Sequence, residues 1–340
     1  MAPTLRPRQS LSAERFPVYF SKMQPQNYPD LSRDSRAPSS SNQVRCLAWN
    51  CLGQLIATGS SDKTLRVWNP DKPQGKFSTE LKGHSAAIEK VAFNPVKDAE
   101  LCSVSSDGVV KFWDVRTKNC FNEVKGLGDA FTLAWAPDGQ TLIVGNKADN
   151  IFVLSPTSPT VISSHQQSTH TNQISFCWSG DKVFVTTAEG KIRILSYPDF
   201  EPILREQYDD EREAMLSGHT SSCLSAELQP IGRYLATGGS DSIIELWDTK
   251  DWLCKRTITS MTGPVRSLSW TFDGSFIVGG SDEGNGLVVT HAETGEKVHT
   301  FNTVGACPLV AWAPTRYWLA YNDMGSLKIV GVDVDKLDRR

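Results

Sequence analysis

The sequence predicts an all-β fold, a seven-bladed β-propeller whose ring is closed by an N-terminal extension. Three observations predict it. A short strand ending in a bulky apolar residue recurs along the chain, hairpins with an aspartate in the turn follow several of these strands, and the last repeat is too short to supply all of its own strands. A period in the low forties with four strand signals per repeat is typical of propeller blades.

The repeat is counted by the last residue of each predicted innermost strand. The seven runs are VRCLAW (to Trp49), IEKVAF (to Phe93), AFTLAW (to Trp135), QISFCW (to Trp178), CLSAEL (to Leu228), VRSLSW (to Trp270) and CPLVAW (to Trp312). These ends lie 44, 42, 43, 50, 42 and 42 residues apart. The long interval predicts an insertion at about residues 200 to 217. Its charged run, 209–213, is interpreted as a solvated loop, with a partner contact as the less favoured alternative.

Three hairpin copies, at 55–71, 100–116 and 234–250, share a fixed spacing of polar residues. In each copy a turn aspartate is followed six residues later by tryptophan and preceded four residues earlier by a hydroxyl residue. A Gly-His pair precedes the second and third copies, at 83–84 and 218–219. In these residues the chain resembles the WD40 family of β-propellers.

The resemblance implies two hydrogen-bonded structural tetrads of histidine, hydroxyl, aspartate and tryptophan. They are His84, Ser103, Asp107 and Trp113, and His219, Thr237, Asp241 and Trp247. A hydrolase triad is the alternative for such residues, but their recurrence in a tryptophan-capped strand pattern favours a structural role. No P-loop, HExxH, GxSxG, dinucleotide glycine motif or metal-ligand spacing is found in the sequence. We therefore expect a protein that is not an enzyme, with no cofactor, no metal and no small-molecule substrate.

Composition narrows the class of protein further. The 340 residues carry a net charge of −3 with a pI near 6.1, which argues against coating nucleic acid through bulk positive charge. The eight cysteines contain no CxxC pair and are interpreted as free thiols in a reducing compartment. The sequence has no leading apolar segment and no apolar run of membrane-spanning length, so we expect neither secretion nor membrane insertion.

Three regions are predicted along the chain. Residues 1–43 are rich in Pro, Ser and Arg and form a partly disordered N-terminal extension, 44–332 form the propeller, and 333–340 form a tail. Since little sequence remains after the last strand at 326–332, a strand from between Phe16 and Arg36 is expected to complete the last blade. The apolar segment 16–20 is expected to pack on the domain, with entry into a partner as the alternative.

Candidate partner-binding residues come from two places. The second position of each inner run is expected near one mouth of the central channel; these residues are Arg45, Glu89, Phe131, Ile174, Leu224, Arg266 and Pro308. This ring suits a charged peptide with an apolar anchor, although ordinary solvated strand ends fit equally well. Trp252, in the turn KDWLCKR, is a further candidate anchor unless it caps its own blade.

The match extends beyond the general repeat. The segments CLAWNCLGQLIATGSSDKTLRVW, LAWAPDGQTLIVGNKADN and above all KIRILSYPDFEPI resemble the WD-repeat (third) subunit family of the THO complex, over nearly all of 44–332. The resemblance implies a nuclear scaffold subunit of the transcription-export (TREX) assembly, which couples transcript elongation to mRNA packaging and export. It implies binding to the large helical THO subunits and other export-complex proteins, with any RNA contact indirect.

Two other functions are kept as alternatives. The motif WDVR at 113–116 matches the WDxR pattern by which propeller substrate receptors of cullin-type ubiquitin ligases bind their adaptor, with Arg116 making the contact. A histone or phosphopeptide reader is a weaker possibility. It would require Arg45 and Arg266 to converge on one acidic group.

Overall fold

The computed structural model describes residues 10–28, 44–72, 78–206 and 209–332. It contains one short helix, α1 (Arg15–Phe20), a short strand β1 (Gln26–Tyr28), and then seven four-stranded antiparallel sheets. The predicted seven-bladed all-β propeller is thereby confirmed. Within the described ranges, no helix has the length and apolar character needed to cross a membrane.

Five of the seven blades are built from four consecutive strands, listed from the channel outwards; blades four and seven are the exceptions. Blade one comprises β2 (Val44–Trp49), β3 (Ile56–Ser60), β4 (Leu65–Trp68) and β5 (Thr79–Leu81). Blade two comprises β6 (Ile88–Phe93), β7 (Glu100–Ser105), β8 (Val110–Asp114) and β9 (Asn119–Val124). Blade three comprises β10 (Ala130–Trp135), β11 (Leu142–Asn146), β12 (Asn150–Leu154) and β13 (Ser163–Gln166). The fourth comprises β14 (Thr171–Phe176), β15 (Lys182–Thr187), β16 (Lys191–Ser196) and β19 (Leu216–Ser217), with the hairpin β17 (Arg205–Glu206) and β18 (Asp209–Glu213) inserted. Blade five comprises β20 (Cys223–Leu228), β21 (Tyr234–Gly239), β22 (Ile244–Asp248) and β23 (Cys254–Ile258). Blade six comprises β24 (Ser267–Trp270), β25 (Phe276–Gly280), β26 (Leu287–His291) and β27 (Lys297–Phe301). Blade seven comprises β28 (Val310–Trp312), β29 (Tyr317–Asp323) and β30 (Ser326–Val332), with β1 as its fourth strand.

Closure of the ring follows the sequence prediction. Strand β1 pairs antiparallel with β30, with Gln26 opposite Ile329 and Tyr28 opposite Leu327. Tyr28 is buried, and its ring lies 6.1 Å from that of Trp68 in blade one. The first strand of blade seven packs back on the first strand of blade one. Because a closed ring shields its sheet edges, this pairing protects the fold against edge-to-edge association.

The segment 16–20 packs on the propeller as part of α1. Phe16 and Phe20 are fully buried, and the Phe16 ring lies 4.4 Å from Phe276 of blade six. The Phe20 ring lies 5.9 Å from Trp312 of blade seven. Burial of two aromatic side chains contributes several kcal/mol at the usual value of about 25 cal/mol per Å² of apolar area. The N-terminal arm therefore joins blades six and seven.

Indole groups of three inner strands tie their blades to the ones before them. The Nε1 groups of Trp49, Trp135 and Trp270 donate hydrogen bonds to backbone carbonyls of the preceding inner strand at 2.9, 3.1 and 3.1 Å. Each ring is buried while its N–H is satisfied, which is the condition for placing tryptophan in a core. The apolar ends predicted from the repeat thus serve the packing between blades.

A β-bulge marks the second residue of the inner strand in each of the first five blades. In blade four this residue is Asn172, so the predicted alignment of that blade was two residues too late. Ile174 is buried between blades rather than at the channel mouth, and Trp178 lies beyond the strand with 55% of its surface exposed. Phe176 occupies the strand-end position that tryptophan or another bulky residue holds in the other blades. The prediction placed Trp178, which lies in the following turn, at this position instead.

The insertion in blade four contains a hairpin, and the interpretation of its charged run, 209–213, as a loop was wrong because these residues form a strand. The outer edge of β16 first pairs with the segment at Pro202, which bridges to Leu195, and later with β19. Between these two pieces β17 and β18 form an antiparallel hairpin, closed at its base by the Ala214 N–H bonded to the Leu204 carbonyl at 2.9 Å. The hairpin thus interrupts the outer strand of its blade.

One ion pair fixes the base of this hairpin. The buried Arg193 guanidinium donates to both carboxylate oxygens of Glu213 at 2.8 and 2.7 Å, and to Gln167 Oε1 at 2.6 Å. A two-point pair of this kind is geometrically specific and is strong when shielded from water. Glu213, the last residue of the predicted loop, is therefore held against the blade.

Candidate functional site

The tetrad of blade five is a continuous chain of hydrogen bonds. The Trp247 indole donates to the Thr237 hydroxyl at 3.0 Å, and His219 Nε2 lies 2.9 Å from the same oxygen. His219 Nδ1 lies 3.1 Å from Asp241 Oδ1. In a neutral imidazole these contacts place the proton on Nδ1, facing Asp241, and leave Nε2 to accept from the Thr237 hydroxyl. Both Thr237 and the His219 side chain are inaccessible to solvent, so a substrate has no route to the hydroxyl.

Glu245 adds a second carboxylate beside this tetrad. Its Oε2 lies 3.4 Å from His219 Nε2, and burial raises the pKa of this carboxyl. A Cβ at Gly218 would overlap the Glu245 carboxylate, which explains why glycine precedes the histidine here. Two acidic groups thus surround the imidazole of His219.

The tetrad of blade two is incomplete. The Trp113 indole donates to the Ser103 hydroxyl at 2.8 Å, and His84 Nε2 lies 2.6 Å from it. The fourth residue is not joined, because Asp107 accepts a hydrogen bond from the Ser85 hydroxyl at 2.6 Å instead. His84 Nδ1 is buried and has no hydrogen-bond partner. The four residues are therefore gathered at one place without forming one chain.

A lysine lies near His84 where blade five has a glutamate near His219. Burial, followed by the nearby ammonium of Lys111, lowers the pKa of His84 to about 4. Lys111 occupies the position that Glu245 holds in blade five, four residues after the turn aspartate. The imidazole of blade two is therefore neutral at physiological pH.

The two arginines that the sequence predicts at the channel mouth are each paired with a carboxylate. Arg45 forms an ion pair with Glu89 of the neighbouring blade. Arg266 Nε lies 2.8 Å from Asp282. The two arginines thus bind different carboxylates instead of converging on one acidic group. The apolar candidates Phe131, Leu224 and Pro308 are partly buried.

Glu227 is an inner-strand carboxylate that the sequence analysis missed. It is the second-last residue of its inner strand, where the other blades have only alanine or serine: Ala48, Ala92, Ala134, Ser175, Ser269 and Ala311. Burial raises the pKa of Glu227 to about 8, opposed by the charge of Lys90. Comparison of this single position among the repeats, once aligned by their bulges, would have identified it.

Arg116 and Trp252, the remaining candidates, lie in turns of blades two and five. The Arg116 guanidinium is 69% exposed and donates to Asp98 at 2.7 Å. Trp252 is partly buried and contacts Phe184 of blade four, with ring centroids 5.8 Å apart. It therefore reaches across a blade boundary. Trp178, which the sequence analysis assigned to a strand, lines the same cleft as Trp252.

No metal centre is formed by the residues described. Over these ranges, no group of three or more His, Cys, Asp and Glu side chains is placed to hold a metal ion. The cysteines described are free thiols, five buried, one partly buried and two exposed. The polar side chains described above thus form the tetrads and ion pairs, and separate surface clefts lie beside them.

Comparison with known proteins agrees with this architecture. The WD domain, G-beta repeat model matches residues 35–69, 75–114, 211–248 and 252–285. Among solved structures, the Cps50 (Swd1) β-propeller domain of Myceliophteria thermophila superimposes with a TM-score of 0.74 at 17% identity, covering 89% of this chain and 100% of that one. At this identity the likeness concerns the fold alone.

Two curated relatives are more similar in sequence. The WD repeat-containing protein AAC3 of Dictyostelium discoideum is 32% identical over 296 residues, which cover 81% of this chain and 60% of that protein. THO complex subunit 3 of Arabidopsis thaliana is 32% identical over 282 residues, which cover 82% of this chain and 86% of that protein. The chain therefore belongs to the THO complex subunit 3 family of WD-repeat proteins.

Proposed function

We propose that this protein is a non-enzymatic scaffold subunit of the nuclear THO/transcription-export complex, linking transcription elongation to mRNA packaging and export through protein–protein contacts. The observation that carries this proposal is the similarity to THO complex subunit 3 along most of both chains. Its partners are the large helical THO subunits and other proteins of the export complex.

The architecture suits a scaffold. The closed ring positions turns from all blades on two rims, so that several partners can bind at once without deforming the domain. The hydroxyls of both tetrads are buried beneath indole rings, which favours a structural role over hydrolysis. With a net charge of −3 and its channel arginines already paired, the protein is expected to contact RNA indirectly.

The proposal is tested by purifying the tagged protein from nuclear extract with and without ribonuclease, followed by mass spectrometry. We expect the other THO subunits in both samples, because protein contacts hold the assembly. Their absence from both samples would contradict the proposal, and their loss on ribonuclease treatment would contradict the scaffold mechanism.

A pair of variants separates the ubiquitin-ligase alternative. Arg116→Ala removes the contact residue of the WDxR motif. Arg233→Ala removes a comparable exposed arginine that is ion-paired with Glu293 at 2.7 Å. We expect both variants to retain the THO subunits. Recovery of a ubiquitin-ligase adaptor that Arg116→Ala alone removes, without THO subunits, would favour the alternative.

A further inference from the structure

A short chain of hydrogen bonds fastens the N-terminal arm, residues 10–23, to the propeller. The Leu11 N–H donates to the Tyr317 oxygen at 2.9 Å, and the Tyr317 hydroxyl donates to Asp273 Oδ2 at 2.7 Å. Tyr317 begins β29 of blade seven, and Asp273 lies in the turn between β24 and β25 of blade six. The chain therefore joins the start of the arm to both of the blades that α1 contacts.

Ser10 lies at the solvent end of this chain. Its hydroxyl interacts with the same Tyr317 oxygen, while the residue itself is exposed. Leu11, the next residue, is buried and packs in one apolar cluster with Phe16 and Phe20. An accessible hydroxyl thus lies directly beside the buried part of the arm.

Asp273 is the acceptor at the other end of the chain. Its described partners are Tyr317 and the hydroxyl and amide groups of Thr271 and Ser275, and no cation is among them. Burial, followed by the nearby charge of Asp273, raises the pKa of Tyr317, so the phenol keeps its proton. Negative charge added at Ser10 would therefore meet the carboxylate across one neutral phenol.

Two arginines precede Ser10 in the sequence. Arg6 and Arg8 stand four and two positions before it. Protein kinases select substrates partly by charge, and basic residues near a serine pair with carboxylates of the kinase. Ser10 thus combines an accessible hydroxyl with a basic sequence context.

We propose that Ser10 is a phosphorylation site and that its phosphorylation releases the arm from blades six and seven. A protein kinase transfers the γ-phosphoryl group of ATP to Ser10 Oγ. The new P–O bond forms as the bond to the β–γ bridging oxygen breaks, ADP leaves, and the hydroxyl proton passes to the base of the kinase. The product has no hydroxyl proton to donate to Tyr317, and it places a charge of about −1.5 to −2 near Asp273.

Release of the arm uncovers an aromatic surface. The Phe16 ring lies 4.4 Å from that of Phe276, and the Phe20 ring lies 5.9 Å from that of Trp312. Strand β1 follows later in the chain and pairs with β30 separately, so closure of the ring does not depend on Ser10. Phosphorylation thus decides whether blades six and seven present these aromatic side chains to other proteins. This device does not rest on the proposed function.

The modification is tested by incubating the recombinant full chain with whole-cell extract and ATP and mapping phosphoserine by mass spectrometry. We expect phosphate on Ser10, and Ser10→Ala is the matched control that should lack this site and keep any others. A Ser10 that stays unmodified, whether or not other serines react, would overturn the assignment.

Release is tested by amide hydrogen exchange of the full chain with phosphoserine incorporated at position 10. In the docked arm the Ser21 and Met23 amides donate to backbone carbonyls of α1. We expect these amides to exchange roughly tenfold faster after phosphorylation, because the arm opens more often. Phosphoserine at position 12 is the matched control, since the Ser12 hydroxyl accepts from the Arg15 N–H at 3.4 Å and should leave the arm docked. Wild-type exchange with phosphoserine at position 10 would contradict release.

Asp273→Asn separates charge repulsion from simple loss of a hydrogen bond. The variant keeps an oxygen that can accept from Tyr317 and removes the negative charge. In this background we expect phosphoserine at position 10 to accelerate exchange by about twofold or less. An equally large acceleration with and without Asp273 would contradict the proposed repulsion.

Discussion

Blades two and five contain equivalent tetrad residues, with serine in blade two where blade five has threonine, yet only blade five connects all four. In blade five the His219 imidazole reaches Asp241 at 3.1 Å. In blade two the His84 Nδ1 is left without a partner and Asp107 turns to serine hydroxyls. Equivalent motif residues therefore do not guarantee identical hydrogen bonding, because their neighbours decide which partner the carboxylate takes.

One backbone position accounts for this difference. Gly239 lies two residues before Asp241, and a Cβ there would overlap both the aspartate oxygen and His219 Nδ1. The equivalent residue of blade two is Ser105, whose hydroxyl donates to Asp107 Oδ1. Glycine thus permits close approach of histidine and aspartate, whereas serine both occupies that space and supplies a competing donor.

Removing the imidazole should produce the largest difference between the two blades. His219→Ala leaves Asp241 and Glu245, each with only 7% of the side chain exposed, without the group between them. We expect a loss of about 3 kcal/mol, against about 1 kcal/mol for His84→Ala, which removes a histidine that already lacks one bond. Urea unfolding followed by tryptophan fluorescence measures both values, and equal losses would refute the difference in connectivity.

Gly239→Ser should impose the arrangement of blade two on blade five. The new side chain separates His219 from Asp241, and we expect a destabilisation of about 2 kcal/mol in thermal or urea unfolding. Gly239→Ala distinguishes the two causes, since it adds the Cβ without the hydroxyl. A wild-type stability for Gly239→Ser would show that the position does not control the tetrad.

The pH dependence of stability should reflect the titration of His84 in blade two. Burial is the main reason that the pKa of His84 in the folded protein is lowered to about 4, from the ordinary histidine value of about 6.5. Between these values the unfolded chain binds the proton and the folded chain does not, so stability falls as pH falls from about 6.5 towards 4, by up to roughly 3 kcal/mol. Comparison of unfolding curves for wild type and His84→Leu across this range isolates the contribution, and parallel pH profiles would contradict it.

Ser105→Gly should have the smallest effect on stability. It removes the competing hydroxyl and allows His84 to approach Asp107, a gain of about 1 kcal/mol. Glycine in a strand costs about 0.5–1 kcal/mol in backbone entropy, so the two effects nearly cancel. We expect an unfolding midpoint close to that of wild type; a large destabilisation would mean that the Ser105 hydroxyl is itself a required part of blade two.

Local spacing predicted much of this molecule, and spatial contacts explain the rest. The strand repeat and the short last blade predicted the seven blades and the closing strand. The sequence analysis placed Ile174 at the channel because Trp178 imitated the residue that ends an inner strand, a role taken by Phe176. It also missed the hairpin in blade four, since the bond between Arg193 and Glu213 depends on folding.

The candidate sites also depend partly on local residue spacing and partly on contacts that form only in the folded protein. The tetrad residues were identified from their spacing. The residue that decides how they connect, Gly239 in blade five and Ser105 in blade two, lies outside the motif. The cleft that Trp178 and Trp252 both line joins turns of blades four and five, and only the folded ring brings these two residues together.

We claim that Gly239 in blade five and Ser105 in blade two determine whether histidine bonds to aspartate. The most direct test is to observe the imidazole Nδ1 protons in ¹⁵N-histidine-labelled protein by nuclear magnetic resonance. For wild type, we expect a hydrogen-bonded, slowly exchanging Nδ1 proton on His219 and none on His84. Gly239→Ser should lose the first signal with the tryptophan indole spectrum otherwise intact, and Ser105→Gly should gain the second. Persistence of the His219 signal in Gly239→Ser, or its absence from wild type, would contradict the account.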